Sequence, residues 1–165
     1  MDRPPLAGLL PPEMTELRWR PLMRFFLDIQ KPYMIGKTPA ADRRVAELRG
    51  GYFEGERLNG IILESGNDWQ TLRDDSAVMI NVRALLETDD GVLIRMAYRG
   101  LRHGPKEIID AIGRGESVNP NSYYMRVSPV FETASGKYDW LNRIVSVAHG
   151  HRLPSGAIYS VFEVV

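Results

Sequence analysis

Asp68 and Trp69 follow directly on Gly66-Asn67, so a carboxylate and a large amphipathic ring stand together where a strand would resume after a turn. In the mouth of a barrel, that pair could bind a polar ligand, with the carboxylate as general base and the indole as a stacking wall. The alternative is a turn-capping aspartate beside a core tryptophan. Asn81 and Arg83 alternate onto one strand face, and Tyr98 on the paired strand is expected on that face as well. An arginine inside a barrel needs a counter-charge, from Glu87, Asp68, Glu132 or an anionic ligand such as a carboxylate or enolate. On an outer face the same arginine is simply solvated.

Tyr124 and Arg126 also share a face, with Glu132 further along the same strand and Tyr138, Trp140 and Asn142 beyond it. Arg126 could hold developing negative charge while Tyr124 donates a proton, with Glu132, Trp140 and Asn142 against the substrate. A structural network closing one end of the barrel, plugged by Trp140, would use the same residues. His149 and His151 are spaced to point the same way from a strand, but they stand at a strand end with no acidic residue nearby. Metal binding is not expected there.

These groups need a scaffold, and the pattern of the chain predicts one rich in strands. Ala77 to Glu87 and Val92 to His103 flank Thr88-Asp89-Asp90-Gly91, a hairpin signal, and Val78, Ile80, Val82, Ala84 and Leu86 make one wholly apolar face. Glu16 to Ile29 suits a long bent strand with Pro21 at an edge or bulge. Lys31 to Asp42 reads as a loop, Arg43 to Leu48 as a strand, Leu58 to Glu64 as a short strand, and Ser65-Gly66-Asn67 as a turn. Pro105 opens the one helix, with Ile108, Ile109 and Ile112 as its apolar stripe and Gly113 and Gly115 at its end. Tyr123 to Thr133, Leu141 to His149 and Ala157 to Val165 complete the strands. A mainly β fold follows, an antiparallel barrel in preference to a sandwich.

A chain of 165 residues suits one domain, read as an extended proline-rich tail over 1–15 and a barrel over 16–165. It has no cysteine, which excludes thiolate ligation and a cysteine nucleophile and fits a cytoplasmic setting. Twenty-one acidic residues balance 21 basic ones, so neither nucleic acid nor a membrane surface is an expected partner. There is no phosphate loop, no serine elbow and no dinucleotide fingerprint.

Several short blocks together carry a resemblance. They are Ile35-Gly36-Lys37-Thr38-Pro39, Arg43-Arg44, Gly50-Gly51-Tyr52-Phe53-Glu54-Gly55, Leu58-Asn59-Gly60, Gly66-Asn67-Asp68-Trp69 and Leu86-Glu87-Thr88-Asp89-Asp90-Gly91. Tyr98-Arg99-Gly100, Tyr123-Tyr124-Met125-Arg126, Pro129-Val130-Phe131-Glu132-Thr133 and Tyr138-Asp139-Trp140-Leu141-Asn142 continue the set. From about Trp19 onward the chain resembles an uncharacterised family of small bacterial and fungal proteins catalogued as a domain of unknown function. The resemblance implies a calycin-like β-barrel with one helix and brings no settled reaction.

The leading expectation is a cofactor-independent enzyme acting by proton transfer on a small, partly apolar, carbonyl- or carboxylate-bearing metabolite, as an isomerase, lyase or cyclase. Asp68 would be the base, Tyr124 or Tyr98 the acid, and Arg83 or Arg126 the anion holder. The alternative is a non-catalytic carrier or sensor using the same pocket. A third reading is an interaction module with an exposed strand edge; self-association through a barrel face is compatible with any of them.

Overall fold

The apolar phase of each strand has to be covered, and nine strands in one antiparallel sheet achieve this by curling until the first meets the third. The computed structural model describes Arg3 and Pro5–Val165. The strands are β1 (Trp19–Ile29), β2 (Tyr33–Lys37), β3 (Asp42–Glu54), β4 (Gly60–Leu72), β5 (Val78–Thr88), β6 (Leu93–His103), β7 (Tyr124–Glu132), β8 (Val145–Leu153) and β9 (Gly156–Val164). Their order is β1-β9-β8-β7-β6-β5-β4-β3-β2, and pairing of β1 with β3 closes an eight-stranded barrel. The helix, α1 (Lys106–Gly113), lies between β6 and β7. No helix among the described residues is long and apolar enough to cross a membrane.

The β5–β6 hairpin forms as its apolar alternation demands, with Val82 opposite Tyr98 and Val78 opposite Arg102. Pro21, which has no N–H for the ladder, sits at a register shift in β1. Three local expectations are corrected. Residues 33–37, expected as loop, form β2 instead. β1 and β2 run along β3 in succession, with Gln30 N bonded to Glu47 O between them, so the segment carries on past a local break. Residues 141–143, expected to open a strand, belong instead to a 3-10 turn, Asp139–Arg143, that buries Leu141, and β8 begins at Val145. The tail expected to be extended makes two exposed 3-10 turns, Leu6–Gly8 and Pro12–Met14; Met1, Asp2 and Pro4 lie outside the described residues.

The expected turn at Ser65-Gly66-Asn67 is also revised, and this one matters for function. β4 runs unbroken through it as a bulge against both β3 and β5. Gly66 adopts φ +116°, and a Cβ there would lie 2.1 Å from the Arg83 carbonyl oxygen. The bulge leads into Asp68 and Gln70, both buried. Gly66→Ala is therefore expected to lower the unfolding free energy by about 2 kcal/mol or more, from left-handed strain plus a backbone clash. A urea midpoint equal to that of the parent would show that the bulge relaxes freely.

The two ends of the barrel differ. At the end away from α1, Phe53, Leu58, Tyr138 and Leu141 fill the interior, and Asp90 ties the β5–β6 turn to Lys137 and Tyr138. At the α1 end, Ala111 and Ile112 are buried and Ile108, Ile109 and Val118 pack against the core. Between the ends, Phe25 stacks on Tyr159 at 4.7 Å with Tyr98 beside both. The wall is thinnest between β7 and β8. Only Arg126–His149 and Val127–Ala148 pair there, and Ser128 and Ser146 hydroxyls bridge the strands further on.

Candidate functional site

Four strands each bring one charged residue to the α1 end in the same phase as their buried apolar residues. On β3, Arg44 continues the inward row of Ala46 and Leu48; on β6, Arg102 continues Met96 and Tyr98. On β8, Arg152 continues Ser146 and Ala148, and on β4, Asp68 and Gln70 face inward together. The result is three guanidiniums and one carboxylate inside a low-dielectric barrel, with Tyr98, Tyr123 and Tyr159 around them.

Hydrogen bonds hold part of this set rigidly. Gln70 Nε2 donates to Asp68 Oδ2, and Arg44 Nε donates to Gln70 Oε1 at 2.6 Å. The backbone N–H of Asn81 donates to Asp68 Oδ1 at 3.2 Å. Tyr123 Oη pairs with His151 Nδ1 at 2.9 Å and accepts from Arg152 N at 2.7 Å. Other groups are left over: Arg102 Nε, Arg152 Nε and the Tyr98 hydroxyl are buried with no hydrogen-bond partner among the described residues. The Tyr98 and Tyr159 hydroxyls influence each other's ionisation without forming a bond of good geometry. Orphaned polar atoms in a buried site are costly and call for an explanation.

Burial dominates the electrostatics. It raises the Asp68 carboxyl above its ordinary range, although Gln70, Asn81 N, Arg102 and Arg152 all pull the other way. Burial, with Arg152 and Arg44 nearby, brings Arg102 down to about 10. It also lowers Arg44, and it raises Tyr98 and Tyr159 so that both keep their protons at neutral pH. His151 is lowered by burial, consistent with a neutral ring beside Tyr123. The arrangement can thus trade a proton at Asp68 and hold an anion at the arginines.

Of the residues singled out from sequence, Asp68 and Tyr98 belong to this interior group. Tyr98 gets there because it pairs with Val82, not with Asn81 or Arg83, whose partners are Arg99 and Ala97. The expected sharing of a face by Tyr98, Asn81 and Arg83 is therefore corrected. Asn81 and Arg83 meet Trp69 and Arg43 outside, around a recess of about 300 Å³ directly across the wall from Asp68. Tyr124 and Arg126 lie in an outer groove of about 650 Å³ with Trp19 and His149. Glu132 is exposed and bonds Arg95 at 3.0 Å. Trp140 sits at the far end under the Arg57 guanidinium, and Asn142 bonds the Thr133 backbone there. Sequence reasoning passed over Arg44, Gln70, Arg102, Tyr123, Arg152 and Tyr159.

Arg83, in the outer recess, is exposed. Arg102 is buried, and the Nε atoms of Arg102 and Arg152 are enclosed without a partner among the described residues, which makes the stronger demand for a ligand.

Residues 17–164 match the family described as protein of unknown function DUF3237. The chain belongs to this family. A UPF0311 protein of Clostridium acetobutylicum is 32% identical over 152 residues, 92% of this chain and 96% of that protein. Among solved structures, a beta-barrel like protein from Acinetobacter baumannii is 37% identical with a TM-score of 0.80, covering 94% of this chain and 99% of that one. An enzyme from Penicillium herquei shares the fold at 19% identity and a TM-score of 0.69, over 92% of this chain and 96% of its own. DUF3237 membership and the closed barrel agree with the resemblance drawn from the sequence blocks.

Proposed function

We propose that the arginine-lined end of the barrel binds a small, partly apolar metabolite bearing a carbonyl or carboxylate and moves a proton on it without a cofactor. The observation that carries this is Asp68. It is a buried carboxyl with a raised proton affinity, hydrogen-bonded to Gln70 and beside the Arg102 and Arg152 guanidiniums, whose buried Nε atoms lack partners among the described residues. A carboxylate with a raised proton affinity is a stronger base once ionised, and desolvated cations stabilise the oxyanion that forms when a carbon next to a carbonyl gives up its proton.

In this scheme the Asp68 carboxylate takes the proton and the electron pair moves onto the carbonyl oxygen as an enolate, held by Arg102 and Arg152. Return of the proton at a different atom completes an isomerisation. Expulsion of a neighbouring group completes an elimination, and attack by an internal hydroxyl closes a ring. Tyr98 and Tyr159, both protonated, are the donors within the same layer. The P. herquei enzyme supports the reading only in that the same barrel houses a catalyst there. A carrier would use the arginines for affinity and leave Asp68 as a counter-ion.

Deuterium exchange separates the two whatever the final product is. A panel of carbonyl compounds and oxo acids is incubated with the protein in heavy water, and loss of the proton next to the carbonyl is followed by NMR. Protein-dependent exchange in at least one class supports proton transfer. Saturable binding without exchange anywhere in the panel moves the assignment to the carrier.

A further inference from the structure

The hydrogen bonds at the α1 end are distributed unevenly, and the imbalance says what the ligand should carry. Arg44 uses its Nε on Gln70, Gln70 uses its amide on Asp68, and Asp68 also receives Asn81 N. The chain answers neither Arg102 Nε nor Arg152 Nε among the described residues. Arg102 is only 4% exposed, so bulk water does not solvate its charge. Among these three cations Asp68 is the one buried carboxyl, and its burial favours its neutral form; Asp42 stands further out beside Arg44. A planar guanidinium edge with an unused N–H matches a carboxylate, which accepts two parallel bonds.

Apolar side chains also stand at this end of the barrel. Met34 pairs with Arg44 across β2 and β3, hence lies on the same face, and is exposed. Ile108, Ile109 and Val118 approach from α1 and the segment after it.

We propose that this end of the barrel is a carboxylate site for an apolar monocarboxylic acid, its headgroup between Arg102 and Arg152 and its body directed past Arg44 toward Met34 and α1. The proposal rests on the reading of that end as the ligand site and narrows its substrate class. A tetrahedral phosphate would need donors on several sides, and Asp68 and Gln70 Oε1 present acceptors instead. Seating a carboxylate beside Asp68 also raises the proton affinity of Asp68, so binding weakens as pH rises through the range where Asp68 ionises, and proton abstraction belongs to the fraction of complexes in which Asp68 is ionised.

The test uses formate, hexanoate and benzoate, their three amides, and inorganic phosphate, each titrated by calorimetry and thermal shift at constant ionic strength. Carboxylates are expected to bind saturably, hexanoate and benzoate more tightly than formate, and amides and phosphate not at all. Arg102→Met and Arg152→Met should each weaken hexanoate by roughly tenfold to a hundredfold, as for loss of a charged hydrogen bond. Arg24→Gln, on the exposed outer face of β1, should bind as the parent does. Parent affinity should fall by up to about tenfold per pH unit once Asp68 ionises, and Asp68→Asn should flatten that dependence.

Amides binding as well as carboxylates, preference for phosphate, or folded arginine variants that bind normally would overturn the proposal. Its failure is distinct from that of proton transfer. Carboxylate binding without deuterium exchange keeps this site and removes catalysis, whereas exchange on neutral carbonyl compounds with no carboxylate binding keeps catalysis and removes this site.

Discussion

Asp68→Asn is expected to leave the barrel folded and to slow proton exchange by about 10²- to 10⁴-fold, the usual contribution of a positioned acid-base group. The substitution keeps size and one accepting oxygen, so the bond from Asn81 N survives. The Gln70 amide is the partner that suffers: its Oε1 already accepts from Arg44, so it cannot turn to suit a second donor. The pH dependence gives a second, independent readout. Asp68 has a raised proton affinity in the folded protein, so its contribution to stability is fully present below the unfolded carboxyl pKa and is lost as pH rises through the folded value. The amide that replaces the carboxyl does not titrate. Between pH ~4 and pH ~8 the stability difference should therefore move in favour of the variant, by about 1.4 kcal/mol for each unit by which the carboxyl is raised. Denaturation curves at a series of pH values check this. A difference that stays flat, or that moves toward the parent, would mean that the arginines outweigh burial at Asp68 and that it rests as an anion. In that case it would still serve as a base, but carboxylate binding would not be linked to its protonation.

Much of the barrel was legible because period-two alternation reports directly on which face is buried. The apolar row Val78, Ile80, Val82, Ala84 and Leu86 turned inward as read, and the Asp-Gly turn set the hairpin. What escaped was continuity between segments. Gly66 looks like a turn residue, yet here it lets one strand bulge while pairing on both sides, a role fixed by neighbours remote in sequence. β2 was hidden in a proline- and glycine-bearing stretch for the same reason: its partner, β3, supplies the register.

The site was legible in the wrong direction. Arg83 and Arg126 drew attention because each was read on a strand face with a tyrosine, Tyr98 for one and Tyr124 for the other, but both are in the outward phase of their strands. Arg102, Arg44 and Arg152 each lie in the inward phase, two residues beyond a run of small or apolar positions. A charge that keeps step with the buried row of its strand is the informative signal, since it must be desolvated wherever the sheet closes. That signal could have been read from Met96, Tyr98, Gly100 and Arg102 alone. One error of phase concealed it: placing Tyr98 on the face of Asn81 and Arg83, when it stands opposite Val82, moves the whole β6 row to the other face.

Arg102→Met should make the protein more stable while it loses its anion site, and the opposite signs are what distinguish a functional arginine from a structural one. Removing one partner of a buried ion pair ordinarily costs several kcal/mol, because a charge is left stranded. The balance here runs the other way. Arg102 is buried, its Nε has no partner, and Arg152 and Arg44 both act against its charge. Asp68, the group that would be stranded, can take a proton, as its burial already favours. Methionine fills much of the aliphatic volume of the arginine stem and removes a guanidinium whose desolvation nothing in the chain repays. A gain of about 1 to 3 kcal/mol is the expected outcome, in the range seen when buried charges give way to apolar residues. Urea denaturation at neutral pH measures it, and the same preparation tests hexanoate binding. Combining Arg102→Met with Asp68→Asn then isolates their coupling, which should be small if Asp68 is largely neutral beside it. Loss of several kcal/mol in the single variant, recovered in the double, would instead establish a tight Arg102–Asp68 ion pair holding the barrel end together.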